Sequence, residues 1–327
     1  MIPDAARAER FRADLDALIA PEARLGIAVS GGPDSLALLV LTAAACPGQI
    51  EAATVDHALR EDSRAEAETV ARICERLQVP HSILAARWAD KPKTAIQERA
   101  RRERYRLLGF WAEEQGLAAI VTAHHADDQA ETFVMRLARG AGVRGLAAMR
   151  GRSVAPGTEI KLLRPLLGWR RADLEQICVD AGLTPARDPS NADDRYERIR
   201  IREALAGADW LDAAAIARSA ANLADADNAL HWAARLEWDL RVKQRRGSIA
   251  YHPSGAPIEI VRRIVARAVR KLATEGQDEL RGAELSRLIA TLADGGTATL
   301  RGVRCRGGSD WSFVPAPERT RPVDNFD

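Results

Sequence analysis

Ser30-Gly31-Gly32-Pro33-Asp34-Ser35 follows the apolar run Leu25-Gly26-Ile27-Ala28-Val29 and precedes Leu36-Ala37-Leu38-Leu39-Val40-Leu41. That order predicts a buried strand, a glycine loop and a helix. Adjacent glycines let backbone approach an anion with no Cβ in the way. The helix behind them supplies unpaired N–H groups and a positive dipole end, which favours phosphate. Ser30 and Ser35 add hydroxyl donors. The loop is not a Walker A sequence, which needs wider glycine spacing and a Gly-Lys-Ser/Thr ending. A lone Gly-Gly would more often be an ordinary turn. Ser, Asp and Ser at this spacing after an apolar strand favour phosphate binding.

The rest of the chain extends that reading. Strands are predicted at 25–30, 51–56, 81–86 and 118–123, and helices at 3–19, 34–45, 63–78, 94–115 and 126–138, with Thr94 and Gln97 as a capping box. Strand–helix alternation predicts an α/β fold with a doubly wound parallel sheet. Ligands in such sheets sit beyond the carboxyl ends of the strands, which singles out 30–35, 56–60 and 122–131. Further on, 151–158 reads as a loop, 161–167 as a strand, 171–181 as a helix and 187–195 as a polar loop. A linker near Gly207 separates a domain at 1–207 from a smaller, mainly helical one at 208–327, which ends in β-like alternation at 297–314.

Composition sets limits. The chain has 327 residues, with 48 Lys plus Arg against 46 Asp plus Glu and a net charge of +2, so a nucleic-acid partner has to be argued from local patches. Cys46, Cys74, Cys178 and Cys305 form no Cys-x-x-Cys pair, which favours reduced thiols in a cytoplasmic protein over a disulfide framework, zinc site or cluster. The polar stretch 3–12 does not read as a signal peptide, and the longest apolar runs are too short to span a bilayer.

The densest chemistry lies in Thr122-Ala123-His124-His125-Ala126-Asp127-Asp128-Gln129-Ala130-Glu131-Thr132. Asp128 and Glu131, three apart, share a helix face at the ligand end of the sheet and could hold an ammonium group or a magnesium ion. His124 and His125 can donate to phosphate or base; adjacent histidines rarely both reach one metal. A capping role would account for Asp127 or Asp128 alone but not for the whole cluster. Asp56, His57 and Arg60 sit at another strand end and suit nucleotide contact, although Asp56 could simply end the strand. Arg101, Arg104 and Tyr105 share a helix face that could meet phosphates. Three basic clusters favour RNA phosphate contact: Arg198, Arg200 and Arg202; Arg241, Lys243, Arg245 and Arg246; and Arg263, Arg267 and Arg270, the last opposite an apolar stripe.

The glycine loop resembles the PP-loop of ATP pyrophosphatases. Combined with 56–60, 101–105, 124–131, the stretch 135–146, Arg164-Pro165-Leu166-Leu167 and Arg187-Asp188-Pro189-Ser190-Asn191, it resembles the tRNA(Ile)-lysidine synthases over 20–205. Ala58 replaces a glycine usual in that family, and Ile199 stands where asparagine is common. The resemblance implies an enzyme that adenylates the C2 oxygen of the wobble cytidine of an isoleucine tRNA with a CAU anticodon. Pyrophosphate leaves, and the ε-amine of lysine then displaces AMP. It assigns catalysis to Asp34, Asp128, Glu131 and Arg104. Nucleotide binding falls to Ser30, Gly31, Gly32, Pro33, Asp34, Ser35, Asp56, His57, Arg60, His124 and His125, and magnesium to Asp34 and Asp128. ATP, Mg2+, L-lysine and tRNA are the implied cofactors and partners, with no membrane and room for a homodimer. The competing readings are a PP-loop thiolase, which generally needs cysteine pairs or a cluster, and a non-catalytic ATP-binding RNA module.

Overall fold

The computed structural model describes residues 3–58, 63–86, 88, 96–186, 197–273, 280 and 282–317. The expected Thr94–Gln97 capping box, Arg60 and the motif at 187–191 lie outside the described residues and side chains. The chain divides into two units, Met1–Ala224 and Asp225–Asp327.

The first unit contains α1 (Ala5–Asp16), β1 (Leu25–Ala28), α2 (Pro33–Ala45), β2 (Ile50–Asp56), α3 (Ser63–Arg76), β3 (His81–Ala85), α4 (Ile96–Glu114) and β4 (Ala119–Val121). It continues through α5 (Ala126–Ala138), α6 (Val143–Leu146), β5 (Arg152–Val154), β6 (Lys161–Leu163), α7 (Arg171–Asp180) and α8 (Glu197–Ala206). The long helix α9 (Ala213–Arg241) begins in this unit and ends in the second. The sheet order is β3-β2-β1-β4-β6-β5, parallel except for the edge strand β5. β5 lies within the expected 151–158 loop; only three residues long, it has no apolar alternation to announce it.

β1 is central, bonded to β2 on one side and β4 on the other, with Ile27 opposite both Ala52 and Val121. The chain leaves β1 toward β2 and later returns to β4. The switch point therefore lies between β1 and β4, where open α/β sheets bind ligands. One face of the sheet is covered by α2, which packs on α1 and α7. The other is covered by α4 through Tyr105, Leu108, Trp111 and Ala112. Leu36, Leu38, Leu39 and Leu41 of α2 are at most 1% exposed. Each contributes about 1.5–3 kcal/mol of burial, so the loop before α2 rests on a firmly held helix.

The second unit holds β7 (Val242–Arg245), β8 (Ser248–Tyr251), α10 (Ile258–Leu272), α11 (Gly282–Ala293), β9 (Thr297–Leu300), β10 (Val303–Arg306) and β11 (Trp311–Pro315). Its antiparallel sheet runs β7-β8-β11-β10-β9. The β7–β8 hairpin falls where only helix was expected. Val261, Ile264, Val265, Ala268 and Val269 do form the apolar stripe of α10. The expectation that Arg263, Arg267 and Arg270 form an open basic face needs correction. The Arg263 side chain is 14% exposed and its Nη2 meets Asp227 Oδ1 at 2.6 Å, with Nε on Glu259 Oε1 at 3.0 Å. Arg267 lies 4.2 Å over the buried Trp238 ring. Both hold the unit together. Glutamate at 263 would face two carboxylates, so reversing the trio would test folding rather than RNA contact.

Candidate active site

The glycine loop is built by its own hydroxyls. Ser35 Oγ accepts from the Ser30 N–H at 3.1 Å and donates to the Gly32 carbonyl at 3.0 Å. Gly31 adopts φ +86°, a left-handed conformation that favours glycine. Its carbonyl accepts from the Ala186 N–H at 3.0 Å. Gly32 is the N-cap of α2, at φ −75°, which any residue can adopt. A Cβ there would meet nothing nearer than Ser30 Oγ at 3.9 Å. The two glycines therefore differ: Gly31 answers a backbone demand, and Gly32 leaves space in front of the helix.

His125, at the start of α5, ties this loop to the carboxylate cluster. Its Nε2 is 3.6 Å from Asp34 Oδ2 and 3.5 Å from Asp128 Oδ2, and its Nδ1 is 3.6 Å from Asp127 Oδ2. Burial opposes charge on this imidazole, but the surrounding Asp127, Asp34 and Asp128 outweigh it and push its pKa up to about 10. His125 is thus an imidazolium at neutral pH. Asp127 accepts from the Arg171 N–H at 2.8 Å and from Arg170 Nε at 3.3 Å and Nη2 at 3.2 Å. It ties α5 to α7 and serves structure. Asp128 accepts from the His125 N–H at 3.1 Å, so its capping role coexists with a place in the site.

Glu131 is brought beside Asp128 as expected, but its carboxylate is already matched. It is 2% exposed, with Arg202 Nε at 2.7 Å and Arg198 Nε at 3.3 Å. An ammonium group approaching Glu131 alone meets two guanidinium groups. Two of the three arginines in the 198–202 cluster are thereby committed inside the first unit. Gln129 and Arg136, two residues before and five after Glu131, fasten the segment that follows. The Gln129 amide exchanges two bonds with the Met149 backbone, at 2.8 and 2.9 Å. Arg136 donates to the Gly145 and Ala148 carbonyls at 2.8 and 3.0 Å.

His124 faces the other way, its Nδ1 3.0 Å from Thr122 Oγ1. Burial lowers its pKa to about 4 against the opposing pull of Asp128, and the fields of Arg164, Arg101 and Arg198 add to the lowering. Two adjacent histidines thus have opposite charge states at neutral pH. Arg104 reaches His57 rather than the loop, donating to its Nε2 from Nε at 3.4 Å and Nη2 at 3.3 Å. The proton of His57 then resides on Nδ1, which is buried without a partner.

A PP-loop domain family model matches residues 4–208. The tRNA(Ile)-lysidine synthase of Novosphingobium aromaticivorans is 50% identical over 314 residues, covering 95% of this chain and 94% of that protein. The tRNA(Ile)-lysidine synthase of Zymomonas mobilis is 43% identical, covering 92% and 91%. This chain belongs to the tRNA(Ile)-lysidine synthase family. Among solved structures, the U34-tRNA thiolase NcsA of Methanococcus maripaludis with its [4Fe-4S] cluster superposes with a TM-score of 0.56 at 16% identity, covering 66% of this chain and 76% of that one. That likeness shows a shared fold.

The backbone at position 58 suits a glycine. Ala58 has φ +51°, in the left-handed region. The turn is held because Asp56 Oδ1 accepts from the Ala58 N–H at 2.9 Å and from Ser63 Oγ at 2.6 Å. Burial raises the Asp56 pKa, but those two bonds lower it further, so it stays below its ordinary value. Asp56 therefore shapes the loop that carries His57. The expected effect of Ala58→Gly is a gain of about 0.5–1 kcal/mol, because relief of left-handed strain exceeds the added freedom of the unfolded chain. Urea unfolding checks this; a loss of stability would show that Ala58 is unstrained.

The candidate site also has a pH signature. An unfolded histidine titrates near 6.5. His125, raised to about 10, binds a proton more tightly when folded. Its stabilisation is complete below about pH 6.5 and is lost as pH rises toward about 10. His57 and His124, lowered to about 4, have the opposite sign and weaken the fold as pH falls from about 6.5. Melting temperature should therefore peak near neutral pH, and His125→Asn should flatten the alkaline limb. An alkaline limb unchanged in that variant would assign it to other groups.

Proposed function

We propose that the chain catalyses ATP-dependent ligation of lysine to C2 of the wobble cytidine of an isoleucine tRNA through an adenylated tRNA. The observation that carries this reading is the juxtaposition of the glycine loop with Asp34, His125 and Asp128 at the β1–β4 switch point. Adenylation joins the cytidine C2 oxygen to the α-phosphorus and releases pyrophosphate. The Gly31–Gly32 loop and the α2 N-terminus suit that leaving group.

Asp34 and Asp128 are the carboxylates that would hold magnesium, His125 giving up its contact with them as the ion enters. Asp34 Oδ1 is buried without a hydrogen-bond partner, and magnesium typically takes one or two carboxylates plus substrate phosphates. When bound, it would neutralise phosphate charge. In the second step the lysine ε-amine bonds to C2 and AMP leaves. Asp128 suits the ammonium form and can take the proton it sheds before attack. The exposed Arg241, Lys243, Arg245 and Arg246 at the β7–β8 hairpin remain suited to RNA phosphates.

Buried cysteines weigh against the thiolase alternative. Burial pushes the Cys74 and Cys305 thiols up to about 12 and Cys178 up to about 11, and all four cysteines are unpaired. A reactive thiolate needs the opposite shift. The test is AMP release from ATP with tRNA and each amino acid in turn. Dependence on both lysine and tRNA supports the reading; release without either component overturns it.

A further inference from the structure

Arg164, just past the end of β6, is 8% exposed. Among the described residues its Nη1 donates to neutral acceptors, the Arg150 carbonyl and Ser153 Oγ, both at 2.9 Å. Its Nε is buried with no acceptor. Burial and Arg101 lower its pKa while Tyr105, which also hydrogen-bonds it, raises it, and no carboxylate of the described residues is among these neighbours. A buried guanidinium without a counter-ion is costly unless an anion joins it. Arg101 lies 5.1 Å over the ring of the buried Tyr105 and adds a second cation on an exposed helix position. His124 lies within the field of both arginines.

We propose that Arg164 and Arg101, flanking Tyr105, form a seat for one phosphodiester of the RNA strand next to the nucleotide being modified. This rests on the tRNA reading above and names a binding site for it. An RNA phosphate is favoured over the pyrophosphate of ATP by topology. β6 is two strands from β1, so the two strands run about 10 Å apart. The seat lies on the α4 side of the sheet, whereas the loop leads into α2 on the opposite face.

The test measures binding of an isoleucine tRNA transcript to the full chain between about 50 and 300 mM salt, with ATP affinity measured in parallel. The variants are Arg164→Gln and Arg101→Gln. Each should weaken tRNA roughly tenfold and reduce the salt slope by about one phosphate, leaving ATP affinity unchanged. Unchanged tRNA affinity and slope in both would overturn the seat and leave Arg164 a structural group. Weakened ATP with unchanged tRNA would also overturn it, by assigning the arginines to the nucleotide. If Arg164→Gln does not fold, Arg101→Gln decides by the same criteria. These readouts need no turnover. Wild-type protein that shows the slope losses yet releases no lysine-dependent AMP would therefore sink the lysine reading and leave the seat standing.

Discussion

Gly32→Val should abolish AMP formation while the protein stays folded. Gly32 already has an extended φ of −75°, and its Cβ would find open space. The structural cost is well under about 1 kcal/mol, since glycine there provides no side-chain cap to lose. The valine methyls would instead occupy the approach to the α2 N-terminus, where phosphate must sit. Loss of one preorganised donor alone costs roughly 100- to 1,000-fold, and a blocked approach removes several. Gly31→Val is the informative contrast. At φ +86° with Val70 3.4 Å from the new Cβ, it should lose about 1–2 kcal/mol of stability. If Gly32→Val keeps near-normal pyrophosphate release, the loop does not hold the triphosphate.

The second large effect concerns lysine. Asp128→Asn should raise the lysine concentration needed for turnover roughly tenfold to a hundredfold, the equivalent of a charge-assisted bond of about 1.5–3 kcal/mol. Glu131→Gln should behave differently from a simple ligand change. It leaves Arg202 and Arg198 facing a neutral amide. Because their side chains are 37% and 45% exposed, water softens the loss to about 1–3 kcal/mol of stability. Lysine titrations of each variant, with adenylated tRNA followed separately, separate the two roles. An Asp128→Asn protein with unchanged lysine dependence but slow adenylation would assign Asp128 to metal or ATP.

Local signals carried much of the fold. The apolar strand before Ser30, the alternation through Val121 and the stripe of α10 are short-range patterns, and the structure follows them. The β7–β8 hairpin was hidden because Lys243, Gln244 and Arg245 are exposed and only Ile249 and Tyr251 are buried. Its signal was the Arg246-Gly247 turn, with Gly247 at φ +76°. The site's residue types were legible because strand ends collect ligands. Its pairings were not, since Arg202 meets Glu131 across 71 positions and Arg263 meets Asp227 across 36. Basic spacing alone does not distinguish an arginine for RNA from one for a distant carboxylate. Ala58 was legible only as a departure from a family pattern, and its φ supplies the reason. Arg164 gave no sign of burial in the sequence, because its apolar neighbours suit either a strand or a loop.

The most direct measurement is nucleoside analysis of isoleucine tRNA after incubation with the protein, ATP and labelled lysine. The account predicts that label enters a single cytidine derivative at the wobble position, with one AMP and one pyrophosphate released per lysine joined. Label in another nucleotide, sulfur in place of lysine, or ADP as the product would contradict it.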